Sequence, residues 1–274
     1  MKNAQFRLSI LFILLAGIQF SLNAQNVSLA PSRLYYKVSL GEYKSQTVTV
    51  TNNSSGKQSF TISFSDFEAP GSEGKSKFME IGESENSCSK WLSASPSFFE
   101  IEAGQTQQVT VLLQVPNLPE ANKVKWSAMK IKLAKEKQTA SLNDPKAVGM
   151  GVTETFQFVV HIFQSPPSVI YKNAEIESFK EIDSRSDSSR VLALMVKNSG
   201  EAILDCASYL EVTNLQTGDE NRLKPFAYTI LPGGSRNVKF NLPGLSKGNY
   251  SVLGVVDYGS KENVQAAELQ IEVK

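Results

Sequence analysis

The sequence predicts an all-β protein, built as two immunoglobulin-like β-sandwich domains joined by a short proline-containing elbow. Three observations predict it. Apolar residues recur at every second position in many short runs, as in Phe60, Ile62, Phe64 and in Val109, Val111, Leu113, Val115, which marks strands with one buried face. Glycine, proline and asparagine turns separate those runs. No long amphipathic helix interrupts them, and many short strands with frequent turns suggest sandwiches.

The chain opens with a targeting segment over residues 1–24. Lys2 and Arg7 form a basic head, Leu8 to Phe20 a short apolar run, and Leu22-Asn23-Ala24 a small-residue cleavage site. The apolar run is too short to span a bilayer comfortably, and no later stretch approaches a span, so the mature chain is expected to be exported to the periplasm. The first domain is placed at 25–165. Its strands are expected at Gln46–Thr51, around Phe60–Phe64, at Val109–Val115 and through Phe156–Ile162. Val124, Trp126 and Ala128 share one parity and Met129, Ile131 and Leu133 the other; either a β-bulge or burial on both faces accounts for the switch. Gln138–Gly151 is the longest polar connection in this half. Asp66, Glu68, Glu73, Glu80, Glu83 and Glu85 are read as a solvated acidic loop.

Gln164-Ser165-Pro166-Pro167-Ser168 forms the elbow, because paired prolines donate nothing to a ladder and stiffen the chain. The second domain, 169–274, is expected to carry strands at Ala174–Glu181, Arg190–Lys197, Ser208–Thr213, Arg236–Leu242, Asn249–Asp257 and Val264–Val273. Glu181–Arg190 is read as a polar, solvated loop. Gly248-Asn249-Tyr250 before an apolar strand is placed like a tyrosine corner.

The charged residues nearly cancel: Lys plus Arg is 28 and Asp plus Glu 27. Loss of Lys2 and Arg7 takes the net charge from +1 to −1, so nothing resembles the basic face that nucleic acid requires. Cys88 and Cys206 fall in different domains; they are read as two small buried hydrophobes, the alternative being a bridge between the domains. The single histidine, His161, rules out a multi-histidine metal centre, and no CxxC, GxSxG or P-loop pattern is present. No cofactor, metal or catalytic residue is expected. A sandwich does offer edge strands with unpaired backbone groups, which a partner strand can complete.

Three motifs carry a family resemblance over roughly residues 26–168. They are Val27-Ser28-Leu29 with Arg33, Ser87-Cys88-Ser89-Lys90-Trp91-Leu92-Ser93 followed by Pro96, Ile101, Gly104 and Val109-Thr110-Val111, and Phe158-Val159-Val160-His161-Ile162-Phe163 with Pro166. In order and spacing they resemble the N-terminal domain of the PapD-like periplasmic pilus chaperones. The second half resembles generic bacterial Ig-like modules. The resemblance implies a non-enzymatic chaperone that binds exported fimbrial, pilus or surface subunits by β-strand addition in the inter-domain cleft, through the subunit's C-terminal segment. The alternative is a structural or scaffold module of an envelope adhesion or secretion assembly. It implies a carboxylate clamp of two basic residues, one on the first strand and one on the last. Arg33 matches the first; His161 stands where the family usually has lysine. Val152, Phe156 and Phe158 would supply the strand that meets the subunit, although Glu154 falls where that family has an aliphatic.

Overall fold

A computed structural model describes residues 26–134, 156–186, 189–242, 244–260 and 263–273. The expected leader at 1–24, the polar connection Gln138–Gly151, and Val152 and Glu154 lie outside the described residues.

The first half contributes β1 (Val27–Ala30), β2 (Arg33–Tyr36), β3 (Tyr43–Asn52), β4 (Gln58–Glu68), β5 (Lys77–Met79), β6 (Leu92–Ser95), β7 (Phe98–Ile101), β8 (Thr106–Gln114), β9 (Lys125–Ala134) and β10 (Gln157–Gln164). The second contributes β11 (Ala174–Ser186), β12 (Ser189–Asn198), β13 (Leu204–Asn214), β14 (Glu220–Arg222), β15 (Phe226–Ile230), β16 (Ser235–Leu242), β17 (Gly248–Asp257) and β18 (Gln265–Val273). One sheet of the first sandwich runs β1-β3-β8-β6 and the other β2-β10-β9-β4-β5, with β7 also on β4. The second sandwich pairs β11-β12-β16 with β14-β13-β17-β18, β15 also lying on β13. The fold is therefore all-β, as two sandwiches, each with its own core.

Period-two alternation builds those cores. Val48, Val50, Val109, Val111 and Leu113 from one sheet meet Phe60, Met129, Ile131, Val160 and Ile162 from the other, all fully buried. Leu192, Leu194, Val196, Leu210, Val212, Val252 and Val256 do the same in the second half. A third cluster joins the two sandwiches: Phe67, Val124, Trp126, Ala128 and Phe163, packed against Val169, Ile203 and Leu231. It explains the parity switch. The register of β9 with β4 and with β10 is unbroken, so there is no bulge within it; Met129 and Ile131 face the first core while Trp126 and Ala128 face the second sandwich.

The same device closes both sandwiches. Asn52, at the end of β3, exchanges backbone bonds with the turn before β8 (Asn52 N–H to Gln105 O, 3.0 Å; Gly104 N–H to Asn52 O, 2.8 Å). Asn198, at the end of β12, does so with the turn before β16 (Asn198 N–H to Gly234 O, 2.9 Å; Gly233 N–H to Asn198 O, 3.1 Å). Gly104 and Gly233 both sit at positive φ, 72° and 75°, a conformation in which a side chain is strained.

Two sequence expectations are corrected. Glu181–Arg190 is not a solvated loop: β11 continues to Ser186 and β12 starts at Ser189, with register shifts around Asp183. Irregular pairing lets polar residues join the ladder, and Arg190 pins the end by reaching Glu181 (3.2 Å) and the carbonyl of Glu272 (2.7 Å). The acidic segment is not simply solvated either. Asp66 is fully buried and accepts bonds from the N–H of Gly82 (2.8 Å), the N–H of Ser84 (3.1 Å) and the hydroxyl of Ser87. Burial opposes its charge, but the donors of Ser87, Ser84, Ser89 and Gly82 outweigh burial and lower its pKa. Asp66 therefore organises residues 82–89 as an anchored loop.

Cys88 and Cys206 are both free and buried, which is the reading as small hydrophobes. Burial pushes each thiol up to about 12. Tyr250 does form a tyrosine corner: its hydroxyl donates to the carbonyl of Ser246 at 2.9 Å.

Candidate partner-binding cleft

Between the sandwiches lies a cleft of about 1090 Å³. Its floor on the first sandwich is set by a parallel pairing, whereas the other strand pairs of this sandwich are antiparallel. β2 runs parallel to β10, with Arg33 opposite His161 and Leu34 opposite Ile162. The His161 N–H donates to the carbonyl of Ser32 at 3.0 Å. In-register neighbours point to the same face, and both side chains line the cleft.

Arg33 is exposed. Its guanidinium crosses the cleft and donates to the Thr229 hydroxyl on β15 at 3.2 Å. That hydroxyl donates in turn to a carboxylate oxygen of Asp205, also at 3.2 Å. Among the described residues no carboxylate forms an ion pair with Arg33. A planar, permanently charged fork is thus presented to the cleft with a neutral hydroxyl as partner, an arrangement suited to a carboxylate ligand.

His161 is half-buried among aromatic rings. Phe67 meets it edge-on (4.9 Å, 77°) and Phe163 lies nearly parallel to it (6.3 Å, 13°). Its Nε2 lies 3.1 Å from the Ser76 hydroxyl. Burial, and secondly the charge of Arg33, hold its pKa below the ordinary 6.5, so the ring is neutral near pH 7 and Arg33 alone of the pair is charged there.

The other expected residues lie elsewhere. Phe156 precedes β10 and is 58% exposed; Phe158 is half-buried against the first core. Neither lines the cleft. They belong instead to the start of β10, where Gln157–Val160 pairs only with β9 among the described residues, because β2 begins its pairing at His161. Phe158 packs on its own core, which leaves the backbone groups and the exposed Phe156 and Gln157 at this edge.

Sequence reasoning missed the second wall and the bridge above it. Thr229 and Arg236 line the cleft from β15 and β16, and residues 69–72, Gly74 and Ser76, between β4 and β5, line it from the first half. Pro70-Gly71 and Gly74 signal that turn in the sequence, but not the surface it meets.

No family model and no curated protein sequence matches the chain. It is similar to solved structures of fimbrial chaperones along about nine-tenths of its length. One is the class 5 fimbriae chaperone CfaA (15% identity, 89% of this chain and 98% of that one, TM-score 0.44). Another is the Escherichia coli chaperone DraB (17%, 89% and 96%, TM-score 0.43). A third comes from the CsuC–CsuE chaperone–tip subunit pre-assembly complex of Acinetobacter baumannii archaic Csu pili (15%, 89% and 98%, TM-score 0.45). Among the described residues no helix is long and apolar enough to cross a membrane.

Proposed function

We propose that the protein is a non-enzymatic, periplasmic chaperone-like binder of an exported fimbrial or surface subunit. The subunit's C-terminal segment would lie extended along the open edge of Gln157–Val160, and its terminal carboxylate would reach Arg33. The in-register pairing of Arg33 with His161 at the cleft floor, directly beyond that edge, carries this reading. Backbone hydrogen bonds along an added strand supply affinity, and the guanidinium selects a chain end.

The test is binding of a fluorescein-labelled peptide of alternating valine and threonine, as free acid and as C-terminal amide, to wild type and Arg33→Gln. The free acid should bind more tightly to wild type, and Arg33→Gln should weaken it by about ten- to a hundredfold, as expected for a lost charge-assisted hydrogen bond. Equal binding of acid and amide, or an unchanged affinity in the variant, would exclude the clamp.

His161 adds a pH dependence. A bound carboxylate favours the imidazolium and raises the lowered pKa of His161, so binding takes up a proton. Affinity for the free acid should therefore rise as pH falls from 7 toward 5, where the terminal carboxylate remains ionised. His161→Gln should flatten this profile. The unliganded protein behaves oppositely. Its folded-state pKa lies below 6.5, so the stability due to neutral His161 is complete above 6.5 and lost as pH falls below it.

A further inference from the structure

Residues 70–76 leave the first sandwich at the end of β4, cross the cleft and engage the edge of β16 in the second. Two contacts hold them there. The N–H of Asn237 donates to the carbonyl of Ser72 at 2.8 Å. Glu73 lies 3.7 Å from the ammonium of Lys239. A side chain at Gly74 would meet the Arg236 guanidinium. At its other end the segment returns over the cleft floor, where Ser76 meets Nε2 of His161 at 3.1 Å.

We propose that residues 70–76 form a releasable strap, which spans the cleft in the unliganded protein and must leave β16 and His161 before a carboxylate-ended segment can seat on both clamp residues. The inference rests on the cleft reading above and adds its regulation. The strap covers two groups that an incoming anion would use, Nε2 of His161 and the guanidinium of Arg236. Its tethers suit release: one backbone bond to a sheet edge and one exposed ion pair are individually weak. Gly71 and Gly74, at φ 71° and 66°, put the bends where only glycine is unstrained. A segment that occupies its own site lowers apparent affinity by the fraction of molecules in which it is open.

Two variants test it with the same free-acid peptide. Gly74→Val displaces the Arg236 guanidinium and strains the bend. It should abolish the hydrogen-exchange protection of the Asn237 N–H and tighten binding by about tenfold. Glu73→Cys with Lys239→Cys can be closed by a short bismaleimide, since Cys88 and Cys206 are buried and unreactive. The closed form should bind at least about tenfold more weakly than the same protein capped with N-ethylmaleimide. Equal, Arg33-dependent binding by closed and capped forms overturns the strap and leaves the cleft reading standing. Absence of binding by every form, Gly74→Val included, overturns the cleft reading itself and the strap with it.

Discussion

Trp126→Ala is expected to cost about 3–5 kcal/mol, the usual penalty for deleting a large buried aromatic side chain. Trp126 is 3% exposed and sits in the cluster that joins the sandwiches, with Phe67 and Phe163 beside it and Ile203 and Leu231 packed from the second half. Its indole N–H donates to the carbonyl of Phe67 at 2.8 Å. Truncation empties the joint and strands that carbonyl. Trp126→Phe restores most of the apolar contact but not the hydrogen bond, and should cost about 1–3 kcal/mol. Urea unfolding gives both values. The Ala variant should also separate the unfolding of the two halves, because the buried apolar cluster that joins the sandwiches is here. A loss under about 1 kcal/mol for Trp126→Ala would mean that the cluster does not hold the halves together. The cleft would then lack the fixed geometry on which the proposed Arg33 clamp depends.

Replacing Asn52 or Asn198 by alanine should each cost about 2–4 kcal/mol, from buried backbone groups left without partners. The Asn52 carboxamide donates to the carbonyls of Ile101 (2.9 Å) and Gly56 (2.7 Å) and accepts from the N–H of Ser54 (3.0 Å). Asn198 repeats this pattern, donating to Ile230 (3.1 Å) and Ala202 (2.9 Å) and accepting from the N–H of Gly200 (2.9 Å). Aspartate is nearly isosteric but has no donor, so Asn52→Asp and Asn198→Asp should lose at least as much as the alanine variants. Hydrogen exchange followed residue by residue should place the Asn52 loss in the first sandwich and the Asn198 loss in the second. If either aspartate variant is as stable as wild type, the amide donors do not stabilise that sandwich.

The strand pattern was readable from sequence because a strand buried on one face must alternate, whatever it packs against. Val109-Thr110-Val111 and Val238-Lys239-Phe240 announce their inward residues by local spacing alone. Tyr250 was readable for a similar reason: a tyrosine corner is closed within five residues, Ser246 to Tyr250. The duplicated asparagines left a fainter trace in Val50-Thr51-Asn52-Asn53-Ser54 and Val196-Lys197-Asn198-Ser199-Gly200. Their meaning depends on turns about fifty and thirty-five residues further along the chain, which no local window contains.

Sequence by itself determined the all-β class, most strands and the candidacy of Arg33 and His161. Only tertiary structure brought those two side by side, since a parallel pair unites segments more than a hundred residues apart. It also decided that Trp126 faces outward into a joint, that Phe158 belongs to its own core, and that residues 70–76 reach β16. The first and last of these are contacts between the two sandwiches. Local spacing reports which side of a strand is apolar, whereas the partner of an apolar or charged surface is chosen by the packing of the whole chain.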